Sequence, residues 1–457
     1  MMHTKSKKMF EEGQALLPGG VSSPVRKFSE VDTHPLYIER GDGGYLIDID
    51  GNRYLDVMCG LGPALFGHGQ PKIAHAIAEQ AKKGTVYAAG TPLEYDLAKR
   101  IKAHTPAIEK LRFVCSGTEA VMSAVRLAKA YSKRAAIIKF DGCYHGHADI
   151  MQGHLSKGDF GNADSNNGID KTVVQNTIVL QYNDLDSVAR AFAEHPGEIG
   201  AIVLEPIATN MGLVRPAPNF LQGLRQMCDA NKAVLIFDEV VVGYRTQLGS
   251  VSNWCGVTPD LITYGKIIGG GTPIGMYGGR AEIMDHLDKS GGVFQGGTFA
   301  GNALSMAAGL AVMDMVEEKN FYSDLDELGH VFETELRAGF KQSKLPYDVD
   351  RIGSLFTMLL GPKVTQLGSK SDVQMQDFVM FRKLHARLAQ RGFMLPPSIE
   401  EPGFISPVHT KAELIDLAWT ITMLLTQMKE AKEEHEASRQ KTDSNVLSFQ
   451  QLETAQI

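Results

Sequence analysis

The chain has 457 residues, 43% hydrophobic and 22% charged, with 47 Gly, 19 Pro and a net charge of −7. This is ordinary globular composition, which excludes collagen-like, disordered and coiled-coil chains, and at this length one core gives way to two or three packed regions. The mildly acidic balance argues against nucleic acid as a partner, since phosphate contact needs a basic face, and no apolar run approaches the roughly 18 residues of a membrane span.

The first fourteen residues are basic but hold no apolar stretch, so no signal peptide is expected. Residues 1–55 are read as an N-terminal arm and a segment of the small domain. It has a helical start, Pro18-Gly19-Gly20, a Pro-broken loop, and a hairpin of 36–38 against 45–49 that turns through Asp50-Gly51-Asn52 into 53–55. From 56 to 310, helical stretches alternate with short apolar strands at 112–115, 137–140, 202–204, 234–237 and 261–264. Such alternation means βαβ units and a large α/β domain around a mostly parallel sheet. Residues 311–430 read as a smaller α/β C-terminal domain, closing on an amphipathic helix with Leu414, Leu417, Ile421, Leu424, Leu425 and Met428. Residues 431–457 are polar and are expected to be a flexible, frayed tail. The cysteines (59, 115, 143, 228 and 255) are odd in number and lack C-x-x-C spacing. Neither a disulfide framework nor a zinc knuckle is expected, and the chain reads as soluble and cytoplasmic.

Ligands of open parallel sheets bind at the carboxyl ends of the strands. Those ends read Ser116-Gly117-Thr118-Glu119, Tyr144-His145-Gly146-His147, Glu205-Pro206, Asp238-Glu239 and Gly265-Lys266. Asp238 ends a wholly apolar strand; it either caps a helix or meets a protonated ring nitrogen or ammonium group. Lys266, between an apolar strand and Gly269-Gly270-Gly271, is either a solvated surface lysine or a desolvated amine suited to Schiff-base chemistry. Ser116 to Glu119 fits a plain capping box and equally a phosphate cradle at a helix N-terminus. Tyr144 offers a ring for stacking on a flat ligand. His145-x-His147 with Asp149 lacks a third ligand at a persuasive spacing, so no metal site is expected. Neither a P-loop nor a Rossmann glycine pattern follows a strand. A glycine-flanked lysine, an acid at a core edge, a phosphate-type helix end and an aromatic platform together suit pyridoxal 5′-phosphate (PLP).

Eight segments carry a family resemblance: PGGVSSPVR at 18–26, FVCSGTEA at 113–120, DGCYHGHAD at 141–149, Glu205-Pro206, IFDEV at 236–240 with GYR at 243–245, TPD at 258–260, GKIIGGG at 265–271 and GTFAGN at 297–302. With these the chain resembles the class III, fold-type I aminotransferases. Within that family it is most similar to the glutamate-1-semialdehyde 2,1-aminomutases and their aminotransferase relatives. The resemblance implies that Lys266 carries the Schiff base and shuttles the proton. It implies that Asp238 pairs with the pyridinium nitrogen and Tyr144 stacks on the ring. Ser116, Gly117 and Thr118 would hold the phosphate, with Thr298 reaching it from the partner subunit of an obligate homodimer. Glu205 and Asn210 would lie beside the cofactor, which cycles through its pyridoxamine form. Ser23 and Arg26 would grip a substrate carboxylate, unless Arg26 forms a surface salt bridge, and Glu401 would lie near the substrate amine.

The chain also departs from the aminomutases. Leu61 stands where they carry Trp, Phe294 where they carry Tyr, and Cys115 where they carry Asn. Their small-residue Lys-Ala-Gly-Ser-Gly gate is replaced by QGHLSKGDFG at 152–161, followed by Asn-rich sequence. A loop that cannot seal would release the keto product. The first expectation is therefore an aminotransferase working on a small amino donor and a keto acceptor. An aminomutase forming 5-aminolevulinate is the alternative, and a non-catalytic relative is a distant third.

Overall fold

The computed structural model describes residues 3–153, 168–288, 291–361 and 366–454, those from 435 on by their backbone. The N-terminal arm begins with the helix Thr4–Gly13, whose Lys5 and Ser6 amides donate to the Asp50 carboxylate at 2.8 and 2.9 Å. The expected hairpin forms as β1 (Ile38–Asp42), β2 (Tyr45–Asp48) and β3 (Arg53–Asp56), antiparallel in sequence. Its last turn is held by Asp48, which accepts from the amides of Asp50 and Asn52.

The central sheet contains β4 (Lys110–Val114), β5 (Ala136–Phe140), β6 (Thr177–Leu180), β7 (Ile199–Leu204), β8 (Val234–Asp238), β9 (Leu261–Gly265) and β10 (Gly275–Gly279). Their order is β4-β10-β9-β8-β7-β5-β6, with β10 antiparallel to both neighbours and the pairs from β9 to β6 parallel. Residues of β5, β7, β8 and β9 are buried along their whole length, as strands covered on both faces must be. This is the expected mostly parallel α/β sheet, with helices on its faces.

β10 is the strand the composition hides. Its sequence, GMYGG, has low strand propensity, yet a Cβ at Gly275 would lie 2.0 Å from the Ser116 carbonyl and one at Gly279 would lie 2.0 Å from that of Asp260. Glycine there permits close passage beside the Ser116 turn.

The C-terminal region adds β11 (Asp348–Ile352), β12 (Leu355–Leu359), β13 (Phe393–Met394) and β14 (Gly403–Phe404). β11, β12 and β14 form one small sheet, whereas β13 joins the N-terminal sheet parallel to β3. The closing helix packs its expected apolar stripe, Leu414 to Met428, against the helix Phe321–Gln342. It does not end at 430: the segment expected to fray continues as helix, Lys411–Thr454. No Gly or Pro interrupts 411–454, and the residues after 430 are dominated by Glu, Lys, Ala, Gln and Ser, so propensity carries the helix past its packed stripe. No helix among the described residues is long and apolar enough to cross a membrane.

Candidate active site

Four parallel strands deliver their carboxyl ends to one edge: Asp238 ends β8, Lys266 follows β9, Glu205 follows β7, and residues 144–147 follow β5. Beside them, Ser116 caps the helix Gly117–Ser132, its Oγ accepting from the Glu119 amide at 3.1 Å. The Glu119 carboxylate turns back to accept from the Cys115 amide at 2.6 Å. This is a working cap, and it leaves the Gly117 and Thr118 amides, which have no intrahelical acceptor, at the positive end of the helix. Thr118 also touches the 144–147 turn, its Oγ1 accepting from the His147 amide at 3.4 Å.

Asp238 is buried and held on both oxygens. Oδ1 accepts from Thr263 Oγ1 at 3.0 Å and from the Val240 amide at 3.1 Å; Oδ2 pairs with His145 Nδ1 at 2.7 Å. The His145 ring is fully buried, and its Nε2 has no partner among the described residues. From the sequence, Tyr144 is the residue of this quartet expected at the cofactor, and His145 is a candidate only as a metal ligand. The structure splits the two histidines, burying His145 against Asp238 and exposing His147. Only the apolar flank of Asp238 signals in sequence that its carboxylate needs a buried cationic or donor partner.

Glu205 is buried too. It accepts from the Tyr144 amide at 3.0 Å and from the Thr209 amide and hydroxyl at 2.8 and 2.7 Å. It therefore fixes the backbone of Tyr144, a residue that stays 56% exposed, and the start of the turn that carries Asn210. Burial raises the Glu205 carboxyl, opposed by His145 and reinforced by Asp238. The Tyr144 phenol is likewise raised, by burial and then by Glu401 and Asp238.

Lys266 has a left-handed backbone, φ 48°, and its Nζ donates to the Leu61 carbonyl at 2.7 Å. A non-glycine residue in that conformation stores strain, which natural chains concentrate at functional sites. Burial pushes the amine below its ordinary value, against the pull of Glu401, Glu205 and Asp238. Burial pushes the Glu401 carboxyl up to about 7, with Lys266 opposing. The site is thus a partly desolvated amine ringed by carboxylates, a field that favours a cationic ring or ammonium group and eases proton exchange near neutrality.

Glu239, beside Asp238, points the other way and binds Ser250 Oγ at 2.5 Å and the Val251 amide at 2.9 Å. Burial pushes it up to about 7 from an ordinary 4.5, against those hydrogen bonds. The native chain therefore holds a proton here that the unfolded chain releases. The stability so contributed is complete below about pH 4.5 and lost as pH rises through about 7. Glu239→Gln keeps its neutral form, so the thermal midpoint of the parent should fall relative to that of the variant between pH 5 and pH 8. A constant gap across that range would contradict the assignment.

Other expected residues lie apart. Arg26 is exposed and forms no ion pair among the described residues, so the surface salt bridge does not appear, and no hydrogen bond or ion pair there joins Ser23 or Arg26 to Lys266, Asp238 or Glu401. Glu30, four residues on from Arg26, is within electrostatic reach of Glu401. Thr298 is exposed and lines a surface cleft of about 500 Å³ with residues 85–91, a cleft to which none of the rim residues contributes. The gate substitution at 152–161 lies, from 154 on, outside the described residues.

The geometry fits PLP by its own donor set: an amine, a fixed acid, free helix amides and an open ring converge on one rim. Comparison with known proteins agrees. The profile of the family "Aminotransferase class-III" matches residues 28–421. The chain is 42% identical over 433 residues to a glutamate-1-semialdehyde 2,1-aminomutase of Syntrophomonas wolfei, covering 93% of this chain and 99% of the relative. It is 40% identical to glutamate-1-semialdehyde 2,1-aminomutase 2 of Brevibacillus brevis, covering 94% and 100%. Among solved structures, an omega-transaminase from Sphaerobacter thermophilus superposes with a TM-score of 0.84 at 32% identity, covering 92% of this chain and 97% of that one. A glutamate-1-semialdehyde aminomutase from Pseudomonas aeruginosa, solved with PMP, gives 0.84 at 26% identity, covering 93% and 94%.

Proposed function

We propose that this chain, which belongs to the PLP-dependent class III aminotransferase family, is an aminomutase that converts glutamate-1-semialdehyde to 5-aminolevulinate. One observation carries the substrate: end-to-end likeness, at 40–42% identity, to aminomutases of several bacteria. The first expectation, an aminotransferase with a separate donor and keto acceptor, rested on the gate substitution and gives way to this alternative. An aminomutase needs no external keto acceptor, because the amino group leaves and returns to one carbon skeleton. The aminotransferase remains the second reading, favoured by 32% identity to the omega-transaminase against 26% to the aminomutase at the same TM-score.

PLP supplies an amine-reactive aldehyde and an electron-withdrawing ring. Lys266 would hold its amine at that aldehyde and carry the proton between neighbouring carbons. Asp238, oriented by His145 and Thr263, would keep the ring nitrogen protonated. Tyr144 would offer its ring to the flat face of the cofactor, and Glu205 and Asn210 would shape the wall beside it. Ser116 orders the turn whose Gly117 and Thr118 amides would receive the phosphate, joined by Thr298 of a second copy in a homodimer. Ser23 and Arg26 bind the substrate carboxylate, Arg26 through its planar fork, and Glu401 receives the substrate amine.

Purified enzyme given glutamate-1-semialdehyde alone should form 5-aminolevulinate in equal amount, with no added amino or keto acid. Turnover only when a keto acid is supplied would select the aminotransferase instead.

A further inference from the structure

Arg245 is the bulkiest side chain completely shielded from solvent among the described residues. Burial pushes its guanidinium down to about 10, so it stays charged at neutral pH. No carboxylate lies within ion-pair distance of it among the described residues, and its Nε has no hydrogen-bond partner. Its other nitrogens serve backbone carbonyls, Nη1 that of Ile405 at 3.3 Å and Nη2 that of Gly62, while the guanidinium lies 5.2 Å from the centre of the Phe404 ring. A buried charge without a counter-ion is an expensive way to tie two loops together. What it ties explains its position.

Cys59, Gly60, Leu61 and Gly62 all have positive φ (47, 64, 63 and 112°). Two of them are not glycine, so the turn holds its shape only if its surroundings impose it. Arg245 grips this turn at Gly62 and β14 just beyond Phe404. Between the grips lies Lys266: a Cβ at Gly62 would stand 3.4 Å from Lys266 Cδ and 3.3 Å from Phe404 Cε1. The Leu61 carbonyl, inside the strained turn, is the acceptor for Lys266 Nζ. Arg245 is itself anchored, since its carbonyl accepts from Ser354 Oγ at 3.3 Å and the preceding Tyr244 carbonyl from Tyr322 Oη at 3.0 Å.

We propose that Arg245 is a positioning residue for Lys266: its guanidinium binds the Cys59–Gly62 turn to the 403–405 segment, so that the Leu61 carbonyl holds the Lys266 amine in place. This rests on Lys266 being the reactive amine. The charged groups around that amine are Glu401, Glu205, Asp238 and Arg245 itself.

Two full-length variants test the clamp. Arg245→Lys keeps the charge and loses the two-armed grip. Gly62→Ala keeps Arg245 and pushes the turn against Phe404. In each, the Leu61 carbonyl no longer meets the ammonium form of Lys266. The readout is the pH midpoint for labelling Lys266 in cofactor-free protein with an amine-reactive reagent, followed by mass spectrometry. Both midpoints should fall by roughly one pH unit, the equivalent of a lost hydrogen bond to a charged group. On the cofactor-loaded protein kcat should drop about tenfold or more with substrate KM little changed, as misplacement of a reacting group requires. If Arg245→Lys fails to fold, Gly62→Ala decides alone. Midpoints equal to the parent's in every variant that folds would overturn the proposal. A parent whose Lys266 labels like any surface lysine would instead overturn the assignment of Lys266.

Discussion

Lys266→Ala should lower kcat by at least about 10⁴-fold, the upper end of what one proton-transferring group contributes, because in the proposed mechanism one amine both holds the cofactor and moves the proton. The chain should nonetheless stay folded, and its thermal midpoint should not drop. The amine is costly to bury, it forms no ion pair within 4 Å among the described residues, and its hydrogen bond there goes to a backbone carbonyl that water can serve once the side chain is cut back. The left-handed backbone at 266 remains strained with alanine and is eased by glycine. Lys266→Gly should therefore be at least as stable as Lys266→Ala and equally inactive, which separates loss of chemistry from loss of fold. Borohydride treatment with PLP should leave a phosphopyridoxyl group, the cofactor less the oxygen lost as water, on the peptide carrying Lys266 in the parent and on no peptide in either variant. Residual turnover within a hundredfold of the parent would remove Lys266 from the mechanism.

The sequence made some parts of this architecture plain and hid others for physical reasons. Strands buried on both faces announce themselves as apolar runs, so β5, β7, β8 and β9 stood out, and the first polar residue after each run marked the rim. β10 did not, because the requirement that put glycine at 275 and 279 is close passage past another backbone, and close passage leaves no trace in hydropathy. The rim acids and Lys266 were legible one at a time. His145 was not, since its partner lies 93 residues away and nothing local distinguishes a histidine that orients a carboxylate from one that binds a metal. Arg245 stood inside a family motif without a role, its partners being the carbonyls of residues 62 and 405. Thr298 shows a further boundary: on the single chain it is a surface residue beside residues 85–91, and its proposed task belongs to a neighbouring copy.

Asp238→Asn is expected to have the second largest effect. The substitution preserves size and can still accept from Thr263 and the Val240 amide, so the fold should tolerate it. It removes the negative charge that makes a protonated ring nitrogen favourable. It also presents His145 Nδ1, 2.7 Å away, with either an amide oxygen or an amide N–H. Breaking one partner of a buried charge pair costs about 2–5 kcal/mol, which corresponds to roughly thirtyfold to several-thousandfold in rate if the pair is needed at the transition state. The loss should fall on kcat, with substrate KM little altered, because the role proposed for Asp238 is toward the cofactor ring and not the substrate. His145→Asn should act in the same direction but less, since it loosens the carboxylate without removing its charge. The double variant should be little worse than Asp238→Asn alone, because once the carboxylate is gone His145 has nothing left to orient. Additive losses in the double variant would mean that His145 acts on the reaction independently of Asp238.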